Sequence, residues 1–565
     1  MVGIELPPFL LFYLGAVIAL LGGATWRGPA MIVVIVLSAL NLWQLPAFYG
    51  VETQLMGMDL KPIHIDRLSL LFGYLFHIAA LISVIYSLHV KDKMQQVAAM
   101  LYAGSALGAV FAGDLMTLFV FWEMLAVTSV FLVWARRTDM AYHAGMRYLM
   151  TQVISGMLLL VGVILYYQHQ SSLMFNEIGL DSVASWFIFI AFGIKCAFPF
   201  FHNWLTDAYP ESTPTGTIFL SAFTTKVAVY AMARGFPGTE LLVYIGATMA
   251  CFPIFFAVIE NDLRRVLAYS LINQIGFMMV GIGIGTELGI NGAVAHAFND
   301  VIFKGLLFMS MGAVLYRTGR INGSELGGLY KSMPKTAVLC IIGAASISAF
   351  PLFSGFVSKS MIMSAALKDN FDVVWLLLLF ASAGVFHHAG IKIPYFAFFA
   401  HDSGIRCKEA PWNMLLAMSI AAALCLTIGI FPELLYQHLP FATDYSAYDV
   451  SHILTQTQLL FFSALAFVWL NLKSLYPPEL PSTNLDVDWL YRRPLPRLIK
   501  ACGSIVRHQT DEALRRRIAV MGRTFEQRLA TLHSGDGIFS RAISISSMVA
   551  LVVTLLAVLL VFRFF

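Results

Sequence analysis

This sequence of 565 residues is poor in charge, because Lys, Arg, Asp and Glu make up only 12% of it. Soluble domains carry about 25% charged residues, and they do not reach the 59% of hydrophobic residues found here. The mean hydropathy of +0.77 excludes a soluble protein of this length. We therefore expect most of the chain to lie in a lipid bilayer.

Cysteine patterns that bind metals or form disulfide frameworks are also missing. The six cysteines are scattered, mostly in apolar stretches, and none forms a CxxC motif or a metal-ligand spacing. Nucleotide-binding motifs are absent as well. We expect no disulfide framework, no metal site, no cofactor and no nucleic-acid partner. The cysteines are Cys196, Cys251, Cys340, Cys407, Cys425 and Cys502.

Long apolar runs account for most of the chain. A helix that crosses a membrane needs about 20 apolar residues, and this rule gives 16 candidate spans. The first run has no basic flank and no convincing cleavage site, so it predicts a retained helix and not a signal peptide. The spans lie near residues 8–24, 30–48, 68–89, 95–113, 115–135, 146–167, 182–201, 216–235, 241–259, 266–285, 289–316, 336–362, 373–399, 412–432, 454–472 and 542–562.

The basic residues alternate between the loops in a way that predicts the orientation. With the N-terminus outside, the inner loops carry most of the Lys and Arg residues, and the outer loops hold mostly acidic residues. Lys61, Arg67 and Lys368 are exceptions on the outer side. We expect a multi-pass protein of the inner (plasma) membrane of a bacterium. The inner basic residues are Arg27, Lys91, Lys93, Arg136, Arg137, Arg264, Arg265, Arg317, Arg320, Lys331, Arg406 and Lys408.

Ionisable residues interrupt several of the apolar spans. An unpaired charge at the bilayer centre costs at least about 2.5 to 3.5 kcal/mol, so such residues usually face the protein interior and mark an ion or proton path. Each lysine has a simpler alternative, which is to extend its ammonium group to the membrane surface. This alternative carries most weight for Lys392, which lies close to the inner boundary. The residues are Glu123, Lys195, Lys226, His296, Asp300, Lys304, Lys359 and Lys392, with His202 at the rim of a proline break.

Two spans contain the same proline break. Phe198-Pro199-Phe200-Phe201 ends one apolar run, and Phe350-Pro351-Leu352-Phe353 recurs 152 residues later inside another. Four spans separate the two broken ones, so they run in opposite directions and suggest an inverted repeat. Irregular backbone at depth is tolerated where it is buried in protein or lines a watered cavity. A harmless proline kink is the alternative for either break alone.

Several motifs together resemble one known family. They begin with Gly193-Ile-Lys-Cys-Ala-Phe-Pro-Phe-Phe-His-Asn-Trp-Leu-Thr-Asp-Ala208 and continue with Asp262-Leu-Arg-Arg-Val-Leu-Ala-Tyr-Ser270. His296 through Phe308, Leu326-Gly-Gly-Leu329 and Gly355-Phe-Val-Ser-Lys359 follow in order. The pattern covers roughly residues 60–440. It resembles the antiporter-like subunits that respiratory complex I shares with Mrp-type cation/proton antiporters.

The resemblance implies a fold and a domain order. The expected fold is an all-α polytopic membrane protein of about 16 helices, with two inverted five-helix repeats that contain the broken helices. We place N-terminal helices at residues 1–94, the first repeat at 95–235, the second at 236–400 and C-terminal helices at 401–472. A basic cytoplasmic segment at 473–541 and a terminal anchor at 542–565 complete the chain.

The resemblance also implies a function. It predicts a proton-translocating subunit of a multisubunit antiporter for Na⁺ or another cation, with other membrane subunits as partners. In such proteins a glutamate and lysines form a polar axis, here Glu123, Lys195, Lys226, Lys304 and Lys359. Burial favours a neutral lysine and a nearby carboxylate favours a charged one, so movement of Glu123 relative to Lys195 would load and unload a proton. The alternatives are an ion-pumping subunit of a complex I-like or hydrogenase-like redox complex, and a scaffold that supports carbon or metabolite uptake by a partner.

One position departs from the family pattern. His296, Asp300 and Lys304 are spaced four apart, so they share one helix face. Family members often have a second histidine where this chain has Asp300. We expect Asp300 to form an ion pair with Lys304, or to supply an oxygen ligand suited to sodium.

The segment before the last span is polar and basic. Apolar residues from Leu514 to Leu532 recur at steps of three and four, with arginines between them, which predicts an amphipathic helix on the inner membrane surface. It would bind either a neighbouring subunit or the outside of this chain.

Overall fold

A computed structural model of the chain describes residues 6–46, 48–55, 57–480 and 484–498. The predicted amphipathic helix and the terminal span therefore lie outside the described residues. The chain divides into two units, Met1–Asn484 and Leu485–Phe565. The described part of the second unit includes the short helix Asp488–Arg492.

The first unit is built from helices connected mostly by short turns. Two stretches that follow α16, Phe386–Lys392 and Tyr395–Phe399, are π-helical, and they continue the same span. The helices are α1 Pro8–Leu21, α2 Arg27–Gln44, α3 Arg67–Tyr86, α4 Lys93–Phe111, α5 Leu115–Trp134, α6 Asp139–Gln170, α7 Val183–Lys195, α8 Asn203–Glu211, α9 Gly216–Ala222, α10 Thr224–Gly235, α11 Glu240–Ile259, α12 Leu263–Ile284, α13 Glu287–Thr318, α14 Pro334–Ile347, α15 Ser354–Lys368, α16 Asp372–Val385, α17 Trp412–Ile430, α18 Glu433–Tyr436 and α19 Val450–Leu472.

Twelve helical stretches are long and apolar enough to cross a membrane by length and composition. Three further predicted spans correspond to shorter apolar helices, α1, α7 and α14. Two of these, α7 and α14, are short because each ends at a proline break. The chain is thus a polytopic helical membrane protein, with about twelve candidate spans in its described part, whereas 16 spans and the inverted repeats stay predictions.

The helical chain also contains a short β-hairpin, which the sequence analysis did not predict. Strand β1, Gly50–Leu55, pairs antiparallel with β2, Met58–His64, between α2 and α3. Gly57 at the turn has a φ of 77°, a conformation that glycine adopts without strain. The hairpin is tied to α5, because Asp114 accepts hydrogen bonds from the backbone N–H of Lys61 and of Thr117. Its strands of 6 and 7 residues are too short to form an apolar run of helix length.

The helices that carry ionisable residues form the centre of the unit. In the span from Gly216 to Gly235, 100% of the residues in the apolar stretch are buried, and in α12 and α13 the share is 94% each. In the apolar stretch of α19 only 11% of the residues are buried, so α19 lies at the periphery. The charged side chains of the central helices are therefore enclosed by protein.

Ion pairs connect loops that the charge pattern assigns to one side. Arg137 lies 3.2 Å from Asp92, and Lys331 lies 2.7 Å from Asp402, all in predicted inner loops. Arg234 lies 2.7 Å from Asp66 on the predicted outer side. The alternation of the helices in the structure thus agrees with the predicted grouping of the loops into two sides.

Candidate functional site

The two proline breaks have the same backbone geometry. At the first, Ala197 and Phe200 have φ values of 59° and 71°, and at the second, Ala349 and Leu352 have φ values of 57° and 74°. A left-handed conformation is unfavourable by roughly 1 to 2 kcal/mol for residues other than glycine. The repeated strain shows that both helices are interrupted by one recurring structure and not by a simple kink.

The hydrogen bonds across the breaks also correspond. The N–H of Phe198 donates to the carbonyl of Gly193, and the N–H of Phe350 donates to the carbonyl of Ala345, each over 3.0 Å. Both are six-to-one bonds of the kind that ends a helix at a left-handed residue. The two breaks therefore share their geometry down to single hydrogen bonds.

Lys195 is the last residue of α7 and is fully buried. Its Nζ donates to the backbone carbonyl of Trp122 over 2.5 Å and lies 4.4 Å from the Trp122 ring centroid. The ammonium group also interacts electrostatically with the carboxylate of Glu123, the residue after Trp122. Glu123 Oε1 is buried and has no hydrogen-bond partner within the described residues. A Cβ on Gly156 of α6 would overlap Glu123 Oε1, so the glycine makes room for the carboxylate.

Lys226 and Asp300 form a fully buried ion pair between α10 and α13. Lys226 Nζ lies 2.5 Å from Asp300 Oδ2, and both side chains are 0% exposed. The expected pairing of Asp300 with Lys304 is wrong in this structure. Lys304 Nζ instead donates to the hydroxyl of Ser270 in α12 over 2.7 Å. Residues four apart on a helix are able to touch, but the sequence spacing does not reveal a competing lysine on another helix.

His296 in α13 connects its helix to α12 and α15. Its Nδ1 lies 3.0 Å from Ser358 Oγ in α15, and its Nε2 lies 3.0 Å from Gln274 Oε1 in α12. Both ring nitrogens are therefore used, and the ring is fully buried. Next to Ser358, Lys359 donates to the carbonyl of Ile347, the last residue of α14, over 2.8 Å. Lys359 thus compensates the negative end of the first half of its own broken span.

A cavity of about 150 Å³ lies beside Lys359. Its lining includes polar side chains of α15 and α19, among them Ser360, Ser364, His452 and Gln456. His452 Nε2 lies 3.1 Å from Ser364 Oγ. These residues lie toward the predicted outer end of α15, so the cavity extends from Lys359 in that direction.

Lys392 does not reach solvent. Its Nζ donates to the carbonyls of Val258 and Glu260 over 2.7 and 2.6 Å, at the C-terminus of α11. It also lies 2.8 Å from Glu479 Oε1, in the segment that follows α19. The Lys392 side chain is 0% exposed. The lysine therefore belongs to a buried cluster at the predicted inner end of the bundle.

His202 is likewise not a solvated rim residue, because it is only 1% exposed and its ring lies 4.8 Å from that of Phe252. Arg264, expected in an inner loop, is also buried. Its guanidinium donates to the carbonyls of Pro210 and Ser212, where α8 ends. Arg264 therefore fixes the backbone near the first break. Burial distinguishes both residues from loop residues, and the sequence does not reveal it.

Several polar residues of the site were not predicted. Gln152 and His388 are fully buried, and neither side chain has a hydrogen-bond partner among the described residues. Glu479 was missed because it lies in a polar connection and not in a span. The apolar surroundings of Gln152 and His388 offered a signal, because buried polar groups in lipid-spanning helices often mark a path.

Fold and site together define a polytopic helical membrane protein with ionisable groups buried along its centre. Residues 112–386 match the family described as "NADH:quinone oxidoreductase/Mrp antiporter, TM", which confirms the resemblance. One Na(+)/H(+) antiporter subunit of Alkalihalophilus pseudofirmus is 30% identical over 427 residues, covering 66% of this chain and 53% of that relative. The chain thus spans about half the length of this relative.

Two solved structures share the fold. One chain of the membrane-bound sulfane sulfur reductase, an archaeal respiratory membrane complex, has a TM-score of 0.72 at 23% identity, covering 99% of this chain and 100% of that one. One chain of the Mrp complex from Dietzia sp. DQ12-45-1b has a TM-score of 0.74 at 22% identity, covering 98% and 62%. At these identities the likeness shows the fold alone.

Proposed function

We propose that this chain is the proton-translocating subunit of a multisubunit cation/proton antiporter of the Mrp type. It works in the plasma membrane of a bacterium, with other membrane subunits as partners and Na⁺ as the exchanged cation. Protons move along the buried axis from Glu123 and Lys195 through Lys226, Asp300 and Lys304 to Lys359. The family match and the Na⁺/H⁺ antiporter relative support this proposal.

The single observation that carries the proposal is the Lys226 and Asp300 pair. Breaking a buried pair leaves an uncompensated charge, which is unfavourable by about 3 to 5 kcal/mol. A protein that keeps such a pair at its centre, instead of two apolar residues, has a use for charge there. The pair lies between α10 and α13. In the proposed axis it therefore connects Lys195 on one side with Lys304 and Lys359 on the other.

Asp300 is placed to change partners. In the present arrangement its carboxylate is the counter-charge of the Lys226 ammonium group. Because Lys304 lies one helical turn away on the same helix, a rotation of the Asp300 side chain would bring the carboxylate toward Lys304. Lys226 would then lose its counter-charge and Lys304 would gain one. The cavity beside Lys359 provides the route toward the outer face.

The test is transport by the assembled complex. The complex is purified with its partners and reconstituted into liposomes that enclose a pH-sensitive dye. An imposed Na⁺ gradient should then produce a pH change, and an equal gradient of an impermeant organic cation should not. The same pH change with either cation, or none with any inorganic cation, would contradict antiport.

The second candidate is the ion-pumping subunit of a redox complex. One observation favours it: the matched chain of the archaeal respiratory complex is covered over 100% of its length, and that of the Mrp complex over 62%. Mass spectrometry of the purified complex separates the two candidates. Co-purified subunits with iron–sulfur or nucleotide-binding motifs would support the redox complex, and their absence from a transport-active preparation would support the antiporter.

A further inference from the structure

The segment after α19 inserts three side chains into the predicted inner end of the bundle. Tyr476 is 7% exposed, and its ring lies 5.3 Å from that of His387 and 5.1 Å from that of Phe467. Asn484 donates to Glu260 Oε2 over 3.0 Å. Between them, Glu479 reaches Lys392. The connection between the two spans therefore also supplies a buried acid to the inner end of the bundle.

The contacts of Lys392 leave Glu479 free to change its protonation state. The ammonium group already has the carbonyls of Val258 and Glu260 and the negative end of α11 as partners. When Glu479 binds a proton and becomes neutral, the two carbonyls and the negative end of α11 therefore still stabilise the positive charge of Lys392. By contrast, Asp300 is the sole acidic partner that contacts Lys226 in the described structure. The Glu479 site suits an acid that gains and loses protons without displacing its lysine.

The charged surroundings of Glu479 come from several elements. Glu260 at the end of α11 lies 4.0 Å from Arg265, and His387 and His388 lie on the π-helical stretch that carries Lys392. Burial raises the pKa of Glu479, Lys392 opposes that rise, and Glu260 adds to it, so the net pKa lies above that of an ordinary glutamate. The acid therefore takes up a proton at a higher pH than an exposed glutamate does.

The position of the π-helical stretch connects this site with the axis. Phe386–Lys392 packs against α11, α12, α14 and α19. A Cβ on Gly390 would contact Ser348 Oγ, which is at the second proline break. His388, fully buried and unpartnered among the described side chains, lies one turn before Lys392. The stretch thus extends from the inner cluster to the break that holds Lys359.

We propose that Glu479 is a further proton-carrying residue, the inner terminus of the path, which exchanges protons between the cytoplasmic water and the Lys392 and His388 region. This inference rests on the proposed function. In each cycle the Glu479 carboxylate accepts a proton to become a carboxylic acid and then returns to a carboxylate, and no other bond changes. Both Glu479 and Lys392 lie outside the family match at residues 112–386, so the family does not assign the site.

The test uses the whole purified complex and two readouts. Infrared difference spectra across a pH titration should contain a carboxylic acid band that disappears in Glu479→Gln. Proton transport by Glu479→Gln should fall at least tenfold, while Glu479→Asp keeps measurable transport with a shifted pH profile. Glu325→Gln, at an exposed acid in the neighbouring turn Gly323–Glu325, is the matched control and should behave as wild type in both readouts.

A double variant separates proton carriage from a structural role. Lys392→Met with Glu479→Met replaces the ion pair by apolar side chains and should assemble with near-normal thermal stability but transport few protons. Transport at the wild-type rate and pH profile in this variant, or a band that persists in Glu479→Gln, would overturn the proposal. If the wild-type complex moves no protons at all, the proposed function fails, and the infrared titration still decides whether Glu479 exchanges a proton.

Discussion

Asp300 forms its ion pair with Lys226 on α10 and not with Lys304, which lies one turn away on its own helix. The Asp300 carboxylate is thus the counter-charge of a lysine from another helix. Lys304 has a neutral partner, the hydroxyl of Ser270. The two lysines should therefore respond differently when the carboxylate is removed.

Asp300→Asn should destabilise the chain by about 3 kcal/mol, because it leaves Lys226 buried without its counter-charge. Adding Lys226→Met should restore most of the stability, whereas adding Lys304→Met should not. Thermal unfolding of the detergent-solubilised complex measures both effects. Asp372→Asn, at an exposed acid at the start of α16, is the control. Equal rescue by both lysine variants would contradict the pairing.

Gly156→Ala should abolish transport, because the added methyl group occupies the position of Glu123 Oε1 and displaces the carboxylate from Lys195. Gly305→Ala in α13 is a matched control, since a Cβ there meets nothing within 4 Å. Both changes raise helix propensity by about 1 kcal/mol, so a loss confined to Gly156→Ala reports the contact. Equal transport by the two variants would refute a role for the position of Glu123.

Ala197→Val and Ala349→Val should each destabilise the chain by about 1 to 2 kcal/mol or more. A β-branched residue adopts a left-handed conformation less readily than alanine, and both positions have positive φ. The glycine variants at the same positions should be as stable as wild type, because glycine adopts this conformation without strain. Chemical denaturation of the solubilised protein gives the comparison, and valine variants that match the glycine ones would show that the breaks are not strained.

Asp66 should make stability depend on pH at the predicted outer face. Burial opposes its ionisation, but hydrogen bonds from His64 and Ser69 and the charge of Arg234 outweigh this and hold the pKa of Asp66 well below its usual range. The stabilisation is therefore present above about pH 4 and is lost as the pH falls below it, by an amount on the order of 2 kcal/mol. Asp66→Asn should remove this pH dependence, and an unchanged pH profile of unfolding would contradict it.

The sequence predicted the positions of the helices and of the buried charges better than the contacts between them. Apolar runs and proline breaks are local features, so α7, α14 and the lysines beside the breaks were expected. The partner of Asp300 depends on how α10 packs against α13, which spacing along one helix does not reveal. Glu479 was missed because its burial is created by the packing of a connection against α11, and the β1–β2 hairpin because it is too short to resemble a span.

The central claim is that protons pass through the buried axis. The most direct measurement is Na⁺-driven acidification or alkalinisation of liposomes that contain the purified complex with Glu123→Gln, Lys195→Met or Lys226→Met, each confirmed to assemble. Each variant should lose transport by about 100-fold or more, as expected when a positioned proton carrier is removed, whereas Lys335→Met, at an exposed lysine, should transport as wild type. Near-normal transport by all three axis variants would contradict the account.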